Sequence, residues 1–289
     1  MQEQNPRFRD KFIGYVDILG WKSFVEQANA EVNDLNLQVL TRFLDKLGSH
    51  EKQRDFAIYG PTLCPSSKHI QRDLDFQLTQ AYDCVVVSTE VSPAGVINLV
   101  GHCWSVVMGL LGQGIMCRGY ITRGPIFHTS KYCIGIGHQK ALECEKAVSF
   151  FKREAEKNGT PFVEVDESVC EFVEASGDSC VKALFARQVK RDGKITALFP
   201  TQSLVHQFSL GGFGEKCDLA KEKEANNQIR LMLTEIIERV KGFVDTSNPD
   251  AVRKSEYYIK ALEDQLRECD GLDNSVVQLR SPFPARWKG

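Results

Sequence analysis

Two aspartates stand where a strand gives way to a turn. Asp17 lies near the end of the β-branched and aromatic run KFIGYVDIL, residues 11 to 19, which is followed by Gly20. Asp83 lies in DFQLTQAYDCVVVSTE, between one strand-like stretch around Phe76 and Leu78 and another over Val85 to Val87. Short runs of this kind bounded by turn residues read as strands, which puts Asp83 at a hairpin tip. Two hard carboxylate ligands at one sheet edge suit Mg2+ or Mn2+. A pair of such ions could help to deprotonate a hydroxyl and neutralise phosphate charge in an in-line phosphoryl transfer. Aspartate is also a frequent turn residue, because its side chain bonds the nearby backbone, so position alone leaves a purely structural role open.

The elements that would position these groups follow from periodicity and caps. Apolar positions from Trp21 to Leu47 fall on helical spacings, with Asn33 or Asp34 as the cap where the helix resets. Residues 48 to 73 hold Gly48, Gly60, two prolines and the polar stretch SSKHIQRD, and predict an irregular insertion with at most a short strand at Phe56 to Tyr59. Residues 95 to 112 predict a helix closed by Gly112 and Gly114, and IMCRGYITRGPIF a strand. His138 to Lys157 reads as a helix, and residues 161 to 165 and 194 to 200 as strands. Two charged helices between Asp218 and Glu268 are separated by SNPD. The order β, α, β-hairpin, α, β, then α, β predicts an α+β fold, a ferredoxin-like palm with an antiparallel sheet and helices on one face. That catalytic domain would span residues 10–200, with residues 201–289 a helical extension packing on it.

Composition narrows the function classes. The chain has 289 residues, 42% hydrophobic and 26% charged, enough to bury a core without staples. Its 36 Lys and Arg nearly balance 38 Asp and Glu, so it lacks the basic excess of a nucleic-acid binder. The ten cysteines form no CxxC pair and share no zinc-ligand spacing with the six histidines, which predicts reduced thiols. The polar N-terminus MQEQNPRFRD, and a pattern in which no window approaches about 18 apolar residues, predict a cytoplasmic protein with no membrane partner. GIGHQK at 135 to 140 and GGFGEK at 211 to 216 complete no P-loop, and no GxSxG elbow is present.

Three stretches carry a family resemblance over roughly residues 10 to 165: YVDILGW at 15 to 21, AYDCVVVS at 81 to 88 and CRGYITRG at 117 to 124. In that order they resemble the metal-binding strand, the metal-binding hairpin and the Arg-Gly strand of class III nucleotidyl cyclases. The resemblance implies that Asp17, the Ile18 carbonyl and Asp83 hold two Mn2+ or Mg2+ ions, and that the amides of Leu19, Gly20 and Trp21 cradle a nucleoside triphosphate. VDILGF-like starts and RGxITxG-like strands are similar to the pyrimidine cyclases of bacterial Pycsar anti-phage systems. Those enzymes are homodimers with sites at the interface, and their cyclic UMP or cyclic CMP activates a separate effector protein.

Departures from the family pattern shape the expectation. The slot where adenylyl cyclases place an adenine-reading Lys, four residues before the second Asp, holds Thr79, flanked by Leu78 and Gln80. The slots for the family's Asn and Arg in the helix after the Arg-Gly strand hold Ala141 and Glu145. A pentavalent phosphorus still needs a positioned cation. Among Arg118, Arg123, Lys140 and Lys146 the resemblance favours Arg118 as the catalytic cation, with Lys140 second and substrate-binding, and leaves Arg123 as a solvated strand-end charge. The expected activity is conversion of UTP, in preference to CTP, to the 3′,5′-cyclic monophosphate and pyrophosphate. A catalytically silent nucleotide-sensing or partner-binding module is the alternative, and a palm-fold polymerase or cyclic-dinucleotide synthase is a minor third.

Overall fold

A computed structural model describes residues 6–30, 35–48, 74–150, 159–199 and 219–280. The chain divides into two compact units, Met1–Pro200 and Thr201–Gly289.

The first unit is built on β1 (Arg9–Ile18), which carries α1 (Trp21–Asn29) and α2 (Leu37–Leu47) before the hairpin β2 (Phe76–Ala81) and β3 (Cys84–Glu90). Helix α3 (Pro93–Leu111) and β4 (Cys117–His128) follow. These four strands lie in the order β2-β3-β1-β4, each antiparallel to its neighbours. That is the strand order of the ferredoxin-like α+β palm. The sheet continues through β6 (Val163–Val165), parallel to β4, and the antiparallel pair β8 (Ile195–Leu198) and β7 (Val189–Asp192), while the two-residue β5 (Cys133–Ile134) pairs with β4.

Alternation along β1 decides what covers each face. Phe12 meets Phe172 edge-on at 5.0 Å, and a Cβ at Gly14 would lie 2.6 Å from Cys103 Sγ of α3. The odd positions point the other way. Ile13 and Tyr15 join Val86, Ile126 and Ala141 in one apolar cluster, and Ala141 belongs to α4 (Ile136–Lys146). Helices therefore lie on both faces, which corrects the expected one-sided arrangement. The approach of α4 depends on small residues, since a Cβ at Gly137 would fall 2.4 Å from Ile13 Cδ1.

Several boundaries also move. Asn36 caps α2, its side chain accepting from the Val39 amide at 3.0 Å; the expected caps Asn33 and Asp34 lie outside the described residues. The insertion at 49–73, with its expected strand at Phe56 to Tyr59, and GGFGEK lie outside them too. The helix expected to run to Lys157 stops at Lys146. Beyond it the amides of Ser149 and Phe150 donate to the buried Glu164 carboxylate, 2.6 Å from the Phe150 nitrogen, and Phe150 packs on Phe162. Two short helices were not expected: α5 (Glu167–Ala175) and α6 (Ser179–Ala186), capped by Asp166 and Asp178.

Helix α3 corrects the expectation that no window is apolar enough to cross a membrane. By length and composition it is, and 72% of that window is buried inside the protein. Its start is capped by Ser92, which accepts from the Gly95 amide at 3.0 Å, with Pro93 just inside.

Among its described residues the second unit is a pair of long helices, α7 (Leu219–Phe243) and α8 (Pro249–Arg280). Leu233, Ile236, Ile237 and Val240 of α7, and Tyr258, Ala261, Leu262 and Cys269 of α8, are buried. Asn226 donates to the Cys269 carbonyl at 2.9 Å. The SNPD break works as the sequence predicts: Asn248 caps α8 by accepting from the Asp250 amide at 3.0 Å.

Candidate active site

The site grows out of register. Asp17 pairs with Cys84 on β3 and with Arg118 on β4, so its carboxylate and the Arg118 side chain stand on the same sheet face. The hairpin tip is tied to the same edge, because the Ile18 amide donates to the Asp83 carbonyl at 3.0 Å. Tyr82 takes a φ of 55° to make that two-residue turn and is 90% exposed, a conformation uncommon for a bulky residue. On the far side β1 and β4 approach closely at Gly119, where a Cβ would sit 2.1 Å from the Tyr15 carbonyl oxygen. The glycine of the Arg-Gly pair is thus a steric requirement, and it fixes Arg118 beside Asp17.

The third carboxylate is Glu145. It occupies the sheet-facing side of α4, one turn after Ala141, and is 4% exposed. It forms an ion pair with Arg118 Nε. Burial pushes the Asp17 carboxyl up to about 7, helped by the charges of Asp83 and Glu145 and opposed by Arg118. Burial likewise raises the Tyr15 hydroxyl, followed by Cys84 and Asp17.

Repulsion between buried carboxylates is what a divalent cation relieves. Among the described residues no three His, Cys, Asp or Glu side chains are grouped to hold a metal. Asp17, Asp83 and the Ile18 carbonyl still offer hard oxygen donors, and Mg2+ is commonly held by one or two carboxylates with water and substrate phosphates completing its shell. The donor set therefore fits that kind of ion.

The expected phosphate cradle narrows. The Leu19 amide donates to the Met116 carbonyl at 3.0 Å, so it is not available to a triphosphate. Gly20, with φ 80°, opens α1 without a side-chain cap, and Trp21 is the first helical residue. Their amides lie at a helix N-terminus, where backbone donors and the macrodipole favour anions.

Thr79 and Lys140 sit in separate networks. Thr79 Oγ1 lies 3.0 Å from His128 Nε2, and His128 Nδ1 lies 2.8 Å from Ser88 Oγ. Burial, then Lys11 and His138, lowers His128 to about 4, so its ring is neutral near pH 7. Lys140 Nζ lies 2.6 Å from Asp166 Oδ2, an acceptor also for the Tyr120 hydroxyl at 3.0 Å. Burial pushes the Asp166 carboxyl up, but Lys140, Ser168 and Tyr120 outweigh it and hold it low. Arg123 pairs with Asp10 at 2.7 Å near the surface, but it lies in the middle of β4 and not at a strand end, which corrects that expectation.

Sequence reasoning placed Glu145 only as a family slot and passed over His128, Ser88, Tyr120 and Asp166. Two signals pointed to Glu145, Tyr120 and His128, and none to Ser88 or Asp166. Glu145 follows Ala141 by four residues on one helix face, and Tyr120, Ile126 and His128 share one parity along β4.

No family model matches the chain, and no curated protein sequence matches it. Solved structures similar to it include the catalytic core of a rhodopsin-guanylyl cyclase with converted specificity, in complex with ATPalphaS. That match has 12% identity and a TM-score of 0.38, covering 58% of this chain and 82% of that one. A bacterial light-regulated adenylyl cyclase matches with 13% identity and a TM-score of 0.36, covering 59% of this chain and 47% of that one.

Proposed function

We propose that this chain is a class III-type nucleotide cyclase that converts UTP, or CTP, to its 3′,5′-cyclic monophosphate and pyrophosphate. The observation that carries the reading is the register of Asp17 against Arg118, with Asp83 stitched to the same strand end. In this reading Asp17, Asp83 and the Ile18 carbonyl hold two Mn2+ or Mg2+ ions, which when bound supply charge neutralisation and favour the 3′-alkoxide. The amides of Gly20 and Trp21 receive phosphate oxygens. Arg118 carries the cation that answers charge spreading at the α-phosphorus. Thr79 offers a small polar contact to the base in place of a lysine, and Lys140 lies on the neighbouring helix as a second cation.

The same reading takes the protein to be a cytoplasmic homodimer whose sites form at the interface. Tyr132, Ile134 and Ile136 are 55%, 53% and 72% exposed within five residues, an apolar patch of the kind a second copy would cover. Its product would serve as a second messenger in antiviral defence, acting through a separate effector.

One observation favours the silent nucleotide-sensing module instead: Arg118 is already paired with the buried Glu145. Incubation of the purified protein with each of ATP, GTP, CTP and UTP plus Mn2+, with products resolved by chromatography and mass, separates the two. A cyclic pyrimidine nucleotide with stoichiometric pyrophosphate is the expected result. Nucleotide binding with no product from any of the four would give the site to sensing.

A further inference from the structure

Ser88, His128 and Thr79 form one chain of polar side chains drawn from β3, β4 and β2, and counting its hydrogens decides which of them faces outward. Thr79 Oγ1 lies 3.0 Å from His128 Nε2, and His128 Nδ1 lies 2.8 Å from Ser88 Oγ. Burial keeps the His128 ring neutral near pH 7, so it carries one hydrogen. Each hydroxyl carries one more. Three hydrogens therefore serve two contacts, and one is left over at an end of the chain.

The two ends are not alike. Ser88 is 0% exposed, and among the described residues its hydroxyl has no hydrogen-bond partner but His128. A hydrogen left over there would be a buried donor with nothing to accept it, which carries the full desolvation penalty. Thr79 is only half-buried. It pairs with Val86, and Val86 with Tyr15, two residues before Asp17 on β1, so Thr79 stands on the same sheet face as Asp17. A hydrogen left over at Thr79 can meet water or a ligand. The favoured arrangement therefore has Ser88 donating to Nδ1, Nε2–H donating to Thr79 Oγ1, and the Thr79 hydrogen turned outward.

A donor fixed in this way discriminates between pyrimidines. Position 4 of uracil carries a carbonyl oxygen, an acceptor, whereas position 4 of cytosine carries an amino group, a donor. The first completes a hydrogen bond with Thr79. The second sets donor against donor.

We propose that Ser88 and His128 are positioning residues that hold the Thr79 hydroxyl as a donor to position 4 of the base, and thereby select UTP over CTP. The selection rests on the reading of Thr79 as the residue that meets the base, whereas the tautomer of His128 follows from the hydrogen count alone.

Two measurements on the full chain test it. The tautomer is read from proton–nitrogen correlation spectra of protein carrying isotope-labelled histidine, the His128 signals being those lost in His128→Gln. A hydrogen on Nε2 and none on Nδ1 is expected, and the reverse would overturn the proposal. Selectivity is read by isothermal titration calorimetry in Mn2+ with 3′-deoxy-UTP and 3′-deoxy-CTP, which lack the attacking hydroxyl and so report binding without turnover. Wild type should bind the uridine analogue about tenfold tighter, the difference one net hydrogen bond makes. Thr79→Ser should keep that ratio, and Thr79→Val should bring it close to one by weakening the uridine analogue alone. Ser88→Ala leaves Thr79 and His128 in place but takes away the donor that orients the ring, and it should lower the ratio too. Thermal unfolding of each variant checks that the fold is intact. Equal binding of the two analogues by wild type, tighter binding of the cytidine analogue, or a ratio unmoved in folded Thr79→Val or Ser88→Ala would each overturn the proposal and leave the cyclase reading standing. Binding of neither analogue by wild type would instead remove the reading of Thr79 as a base contact, and the proposed selection with it.

Discussion

Arg118 and Glu145 form an ion pair between β4 and α4, with side chains 17% and 5% exposed, directly beside the in-register partner of Arg118, Asp17. The pair does two things at once. It compensates a glutamate that would otherwise be an isolated buried charge, and it orients the guanidinium through Nε, leaving the terminal nitrogens for another acceptor.

Removing one member alone should be expensive. Glu145→Ala strands Arg118 in a poorly solvated position, and breaking a buried pair typically costs about 3–5 kcal/mol. Urea denaturation should show a loss near the lower end, since Arg118 retains some solvent. The apolar double variant Arg118→Met with Glu145→Leu should recover most of it, because neither charge is then left alone. A Glu145→Ala protein as stable as wild type would mean the pair is not formed in solution.

The raised carboxyl of Asp17 makes a prediction about pH. Its folded value, about 7, lies above that of an unfolded aspartate. The folded state therefore holds the proton more tightly, and its stabilising effect is complete below the unfolded value, near pH 4, and lost as pH rises through 7. Without metal, Asp17→Asn should match wild type at pH 4 and be more stable at pH 8, by on the order of 2 kcal/mol after allowance for solvent screening. Mn2+ should stabilise the wild type and not the variant. Equal stability of the two proteins at pH 8 in EDTA would mean that burial, with the charges of Asp83 and Glu145, does not raise Asp17 in solution.

Much of this arrangement was legible before any coordinates, and the reasons are local. Asp17 and Asp83 sit next to turn residues at strand ends, so strand patterning alone put them at element tips. What joined them to Arg118 was not legible, because the pairing of β1 with β4 spans more than a hundred residues and depends on Gly119 fitting against the Tyr15 carbonyl. Helix α4 ended early for a tertiary reason: Glu164, fourteen residues on from Phe150, takes the amides that would have continued it. The short helices α5 and α6 begin at Asp166 and Asp178 caps, a signal present in the sequence but outweighed by their length of nine and eight residues.

His128 supplies a second pH effect of opposite sense. Its folded value, about 4, lies below the ordinary histidine value of 6.5, because the ring is buried between Thr79 and Ser88 and faces Lys11. The unfolded chain then binds the extra proton, so stability falls as pH drops from above 6.5 towards 4. His128→Gln should flatten that part of the pH–stability curve in thermal melts. If Thr79 contacts the base as proposed, the variant should also raise the KM for the nucleotide more than it lowers kcat, since Thr79 loses the partner that fixes its hydroxyl. An unchanged acid limb would place the protonation elsewhere.

The narrowest structural tolerance is at Gly119. A methyl there would meet the Tyr15 carbonyl oxygen at 2.1 Å, with the Tyr15 carbonyl carbon and Val16 Cα both at 3.1 Å, all of it backbone that cannot swing aside. Accommodation requires β1 and β4 to part beside Asp17 and Arg118. Overpacking of this kind costs about 1–3 kcal/mol, so Gly119→Ala should fold with a lowered melting temperature. Displacement of a positioned cation by even an ångström can cost about a hundredfold in rate. On the proposed cyclase reading, Gly119→Ala should therefore lose turnover far more than its stability loss explains, with nucleotide binding largely kept. Gly124→Ala is the control, because a Cβ there would meet Gly137 Cα at 3.1 Å on α4, away from Asp17. Comparable loss of turnover in both variants would show that general loosening of β4, and not the placement of Arg118 against Asp17, limits the reaction.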